Sequence, residues 1–266
     1  MARSPGARRR RACSVQARSA SDASDHFSRC TIPGCGSPTQ RAAKIGLAGT
    51  LCRKHLLHRQ RHGSPWCPSP PATALRPYLK AALSLIEPHR DDAYVKAAIA
   101  GLRGCLNQAG PAIIATRLRG LPPAERAKAA LARLRDSGVK PERLLAITMA
   151  VHALIEEAPQ VVHRIKEWRI VAIAKAAHRL ASGYHRVWEI PDATGRTSRT
   201  ELHAYARSSG RVLRYLGDMI EAECEWVIER HLTAVLALKV KRYGPHPAVA
   251  EPPPFASRPK QVSPRL

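Results

Sequence analysis

Cys30-Thr31-Ile32-Pro33-Gly34-Cys35, a gap of sixteen residues, and then Cys52-Arg53-Lys54-His55 constrain this chain more than any other stretch. Three thiols and an imidazole, arriving as two close pairs, supply the four ligands of a tetrahedral Zn²⁺ site. Pro33-Gly34 lets the backbone turn sharply enough for both sulfurs of the first pair to face one point. Cys52 and His55 stand three apart, so on a helix they share a face and close the cage. The apolar residues nearby (Ile32, Ile45, Leu47, Leu51, Leu56, Leu57) are too few for an independent core. Folding here is therefore expected to draw on a structural zinc, whose apparent binding energy is about 10–16 kcal/mol. The predicted ligands are Cys30, Cys35, Cys52 and His55, with His58, His62 and Cys67 as the nearby substitutes.

Charge points to a polyanion partner. The 266 residues hold 44 Lys and Arg against 20 Asp and Glu, a formal net charge of +24. Residues 1–68 carry thirteen Lys/Arg against Asp22 and Asp25, so the front quarter is more than twice as basic per residue as the rest. Arg8-Arg9-Arg10-Arg11 suits a phosphate-binding arm. Seven cysteines, an odd number with three in the metal pattern, read as reduced intracellular thiols rather than a disulfide frame. No run of eighteen apolar residues exists, and residues 1–24 have no apolar stretch of the secretory kind. A cytoplasmic protein, nucleoid-associated if it binds DNA, is expected.

Cys-x4-Cys, a glycine in the gap, Leu51-Cys52-x-x-His55, the basic run His58-Arg59-Gln60-Arg61-His62 and Gly63-Ser64-Pro65-Trp66 together carry a resemblance. The stretch resembles the zinc-binding segment of phage and mobile-element proteins, notably phage-type HNH endonucleases. Leu56 stands where an aromatic is usual, His58 where Arg is common, and Ser64 where Asp is usual. The resemblance covers roughly residues 28–68. It implies zinc and, by association, nucleic acid; it does not by itself imply cleavage.

The expected organisation is a disordered basic arm (1–25), a Cys3His zinc module (26–68), a linker (69–74), an all-α domain (75–242) and a disordered Pro-rich tail (243–266). The fold class is mainly α: a small zinc-finger-like module followed by a multi-helix domain. Leu75, Leu79, Leu83 and Ile86 step at helical spacing up to Pro88. Asp91-Asp92 offers an N-cap for the helix bearing Val95, Ile99, Leu102 and Leu106. Pro111 is expected to restart a short helix, Leu121-Pro122-Pro123 another, Pro141 to sit at a first helical position, and Pro159 to open the next. Beyond Pro191-Asp192-Ala193-Thr194-Gly195 one long helical segment is expected from Ser198 to about Lys241, bent or broken by Gly210 or Gly217. No stretch alternates convincingly with period two.

Enzyme signals are weak. An HNH site needs a His that activates water, metal-binding partners and an Asn. Asn107 is the only asparagine and has no His beside it, while Asp25-His26 precedes the zinc segment. Tyr205-Ala206-Arg207-Ser208-Ser209 matches the short Tyr-x-Arg-x-Ser pattern around a serine-recombinase nucleophile, but inside an expected helix. Glu221, Glu225 and Glu229 read as a solvated acidic stripe that can pair with a basic helix. Trp168, Trp188 and Trp226 read as core or domain-contact residues rather than base-stacking platforms. No nucleotide-cradling glycine loop is present.

The sequence thus reads as a zinc-dependent DNA-binding protein of bacterial, phage or mobile-element type, more a binding protein than an enzyme. Arg8, Arg9, Arg10, Arg11, Arg53, Lys54, Arg59 and Arg61 are the expected phosphate contacts. DNA is the expected partner, RNA remaining open; the helical domain would serve self-association or a protein partner. A divergent metal-dependent nuclease and a protein-docking adaptor stapled by zinc are the alternatives.

Overall fold

The computed structural model describes residues 29–39, 49–158, 165–181, 183–191, 196–205 and 210–247. The basic arm 1–25 and most of the tail, 248–266, lie outside these residues, as do Arg8 to Arg11. The chain forms two compact units, Met1–Arg59 and Gln60–Leu266.

In the first unit the chain makes a turn, Ile32 to Cys35, and enters helix α1 (Arg53–His62), whose final residues belong to the second unit. The helices of the second unit are α2 (Ala72–Ile86), α3 (Ala93–Asn107), α4 (Pro123–Asp136), α5 (Pro141–Glu157), α6 (Lys166–His178), α7 (Gly210–Ala222) and α8 (Glu225–Tyr243). A 3₁₀ turn, Ala115–Gly120, precedes α4.

Local chemistry sets three of the helix starts. Asp92 caps α3 by accepting the backbone N–H groups of Tyr94 and Val95 at 3.0 and 3.1 Å, two donors that the helix itself cannot satisfy. Pro123 and Pro141 stand at the first positions of α4 and α5, where a missing N–H costs nothing and the fixed φ favours the helix.

Helix α5 is the axis of the second unit. Leu144 through Val151 form an unbroken buried run, followed by buried Ala153 and Leu154. A helix apolar on all sides must be surrounded, and α2, α3, α6, α7 and α8 all pack against it. Gly217 explains how closely α6 and α7 approach: a Cβ there would collide with the carbonyl oxygen of Ile170.

One charged pair enters this core at the end of α5. Glu157, at the end of α5, accepts from Lys239 Nζ at 2.5 Å, from Tyr78 Oη at 2.6 Å and from the His246 backbone N–H at 2.6 Å. Burial alone would raise the Glu157 carboxyl, but these donors outweigh it and hold it below the usual carboxylate range.

Three expectations are corrected. The region beyond Ala181 is not helical throughout. It contains an antiparallel hairpin, β1 (Gly183–Pro191) paired with β2 (Thr197–Tyr205), in register Trp188↔Thr200 and Glu189↔Arg199. Pro191, read as part of a break between helices, instead ends β1 opposite Thr197, and 192–195 lie outside the described residues. The short helix expected after Pro111 is a 3₁₀ turn beginning at Ala115. The long terminal helix is two: Gly210 begins α7, Gly217 stays inside it, and the break falls at Glu223–Cys224. The opening of a helix at Pro159 lies outside the described residues; α6 begins at Lys166.

Candidate metal centre

The first cysteine pair is shaped by backbone hydrogen bonds. Cys35 N–H donates to Ile32 O at 3.0 Å, with Pro33 at the second position of the turn and Gly34 at the third with φ +76°. That is the pattern of a type II turn, where a positive φ excludes most side chains and favours glycine. Cys30 N–H donates to Ser37 O at 3.0 Å, and Arg29 bridges Pro38 in antiparallel fashion, so the two strands of the knuckle are held beneath the sulfurs.

The second pair starts a helix. Cys52 O accepts the N–H of Leu56 at 2.9 Å, which places His55 on the first turn of α1 beside Cys52. Thr31 fastens the two halves together: its N–H and its hydroxyl both donate to Thr50 O, at 2.9 and 3.1 Å. Behind the thiols, Leu51 is buried with Cys30 and Cys52, and Ile32 and Leu56 pack against them.

All four predicted ligands converge. Cys30 Sγ lies 3.3 Å from His55 Nδ1, Cys52 Sγ lies 3.4 Å from the same nitrogen, and Cys35 Sγ lies 3.8 Å from Cys52 Sγ. Every ligand atom is within 4.8 Å of the others. A tetrahedral ion with metal–sulfur bonds of about 2.3 Å and metal–nitrogen bonds of about 2.0–2.1 Å separates two sulfurs by about 3.8 Å and a sulfur from a nitrogen by about 3.6 Å. The observed spacings are close to those. Nδ1 is the ring nitrogen that faces both sulfurs, which leaves Nε2 for an outer partner.

Electrostatics of the two central thiols differ. The Ser37 backbone N–H, then the Ser37 hydroxyl, pull the Cys35 thiol below its usual range, because both donate to the thiolate. The His55 backbone N–H acts likewise on Cys52, but burial and the neighbouring Cys35 and Cys30 thiols outweigh it and push Cys52 up. Crowded thiols that resist shared ionisation are what a bound cation resolves. The cluster can hold a metal ion.

The substitutes are placed elsewhere. His62 Nδ1 accepts the Ser69 backbone N–H at 2.9 Å, and Cys67 is buried in the large core of the second unit. Ser37, Thr31 and Thr50 are supporting residues that the ligand spacing does not reveal, because they act through backbone geometry.

Of the expected phosphate contacts, Arg53, Lys54 and Arg61 are exposed and Arg59 is half-buried. Helix α1 has no acidic residue and none of its ten residues is buried. The acidic stripe does not exist as one surface, since Glu221 ends α7 while Glu225 and Glu229 lie on α8. Glu221 is largely buried and accepts from Arg169 Nε at 2.5 Å and from His152 Nε2 at 2.9 Å. Trp168 is core, as expected, but Trp226 is 68% exposed. Tyr205 ends strand β2 rather than lying in a helix, and 206–209 fall outside the described residues. Among the described residues no helix is long and apolar enough to cross a membrane.

Comparison with models of protein families, with curated proteins and with solved structures found no match, so nothing there supports kinship with HNH nucleases beyond the ligand pattern itself.

Proposed function

We propose that the cluster binds Zn²⁺ as a structural ion and that the chain is a DNA-binding protein whose first contacts are to phosphates. Three thiolates and an imidazole at tetrahedral spacing favour zinc among common cellular metals, and four protein ligands leave no open position for catalysis. The observation that carries the DNA reading is α1 itself. It starts at the metal ligands, presents Arg53, Lys54, Arg59 and Arg61, contains no carboxylate, and has no fully buried residue. A solvated helix of one charge sign is costly to keep unless it meets the opposite sign, and a phosphate backbone supplies it. The Arg8–Arg11 run adds to the same balance.

The test is fluorescence anisotropy with a labelled duplex across a salt series. About six phosphate contacts predict a log–log slope of roughly −5. Replacing Arg59 and Arg61 by Ala should weaken binding to every sequence and flatten the slope by about one unit per lost contact. Binding that ignores salt, or none at low salt, would sink the reading.

A further inference from the structure

Several cations of the helical unit are met by acids. Arg169 meets Glu221, Arg214 meets Glu167, and Lys239 meets Glu157. A group of three is not. Arg61, in the last turn of α1, Lys175, in the last turn of α6, and Arg179, just beyond that helix, lie near one another, and none forms an ion pair with a carboxylate among the described residues.

The group is built rather than loose. Lys175 Nζ sits 3.0 Å from His62 Nδ1, and that nitrogen already accepts the Ser69 N–H at 2.9 Å. It therefore carries no proton, and the Lys175 amine is the donor to it. The Ser69 hydroxyl lies 3.1 Å from the same nitrogen, and Arg179 Nη1 donates to Pro70 O at 3.5 Å. Burial first, then Arg179 and Arg61, bring the Lys175 ammonium down to about 8. The C-terminal dipole of α6 favours cations by only about 0.3–1 kcal/mol, too little to balance three of them around a half-buried amine.

We propose that Arg61, Lys175 and Arg179 form an anion site on the helical unit that takes a phosphate group. Two guanidinium forks and an ammonium match a compact, multiply charged group of tetrahedral oxygens better than a single carboxylate. The phosphate has two sources of one chemistry, a phosphodiester of DNA or free phosphate. Choosing the phosphodiester rests on the DNA-binding reading above; the site itself does not.

The experiment is competitive acetylation of full-length, zinc-loaded protein at neutral pH, read lysine by lysine by mass spectrometry. An anion that raises the Lys175 pKa by one unit cuts its free amine about tenfold, so acetylation there should slow by about that factor. Millimolar inorganic phosphate should do this while leaving Lys128, paired with Glu125 at 3.2 Å, unchanged. Protection by a duplex at far lower concentration than phosphate identifies the phosphodiester. Phosphate protection without duplex binding keeps the site and overturns the DNA reading. Duplex binding with Lys175 equally reactive in all three conditions overturns the site and keeps the DNA reading. Lys175→Gln, with an unchanged melting temperature, should lower phosphate affinity about tenfold; unchanged affinity overturns the site as well.

Discussion

The two units of this chain are held by different physics. In the first, the buried apolar residues among those described are Leu51 and two thiols of the cluster, Cys30 and Cys52. In the second, one continuous core runs from Cys67 to Val235 and is centred on α5. On the zinc reading proposed above, the first depends on a coordination event, which depends on ligand protonation and metal supply. The second depends on area removed from water, which depends on neither. On that reading one chain joins a part that metal removal would unfold to a part that it would leave standing.

The sharpest way to break this contrast is to remove the metal. Chelation, or Cys35→Ser, should abolish ordered structure around Cys30–His55 while the far-ultraviolet helical signal and the melting of the second unit change little. Amide NMR and metal analysis of the two samples check this; collapse of the whole helical signal would show that the units are not energetically separate.

Next in size is Leu145→Ala, at a fully buried position of α5. It should cost the second unit about 2–5 kcal/mol, read by denaturant titration, and leave metal stoichiometry unaltered. Loss of metal in that variant would join what the contrast separates.

Gly217→Ala should cost about 1–3 kcal/mol, because α7 must move away from Ile170 to admit a methyl group. A neutral result by thermal melting would mean that α6 and α7 slide freely.

The smallest effect is a pH slope. Burial first, and then Arg133, hold the His178 imidazole down to about 4 from 6.5. The unfolded chain takes up a proton below about 6.5 that the folded chain refuses until about 4, so stability falls as pH drops through that window. The slope is at most about 1.4 kcal/mol per pH unit. His178→Gln should remove it, as measured by denaturation between pH 4.5 and 6.5.

What the sequence made legible follows from the range of the forces involved. The metal ligands were readable because coordination demands particular atoms at short spacing. Asp92, Pro123 and Pro141 were readable because caps and first-turn prolines act within four residues. The hairpin was not. Tyr184, Trp188 and Ile190 share one strand parity with Arg186, Val187 takes the other, and no clean alternation emerges. Its Asp-Ala-Thr-Gly link is equally at home between helices. The roles of Glu221 and Lys175 were also hidden, since their partners lie 52 to 114 residues away in the chain, at Arg169, His152 and Arg61. Nothing local marks a carboxylate that will be buried or an amine that will not be paired.

Trp168 has a consequence for how this protein will look in a cuvette. Its indole is almost wholly buried and donates to Pro68 O at 3.1 Å, whereas Trp66 and Trp226 are 50% and 68% exposed. All four tryptophans and all six tyrosines lie beyond residue 59. Intrinsic fluorescence should therefore contain one blue, quencher-resistant emitter over a red, quenchable background, and its loss will follow the helical unit alone. Loss of a metal ion held by Cys30, Cys35, Cys52 and His55, as proposed above, should be dark by this optical readout, and a fluorescence melt of metal-stripped protein should resemble that of untreated protein.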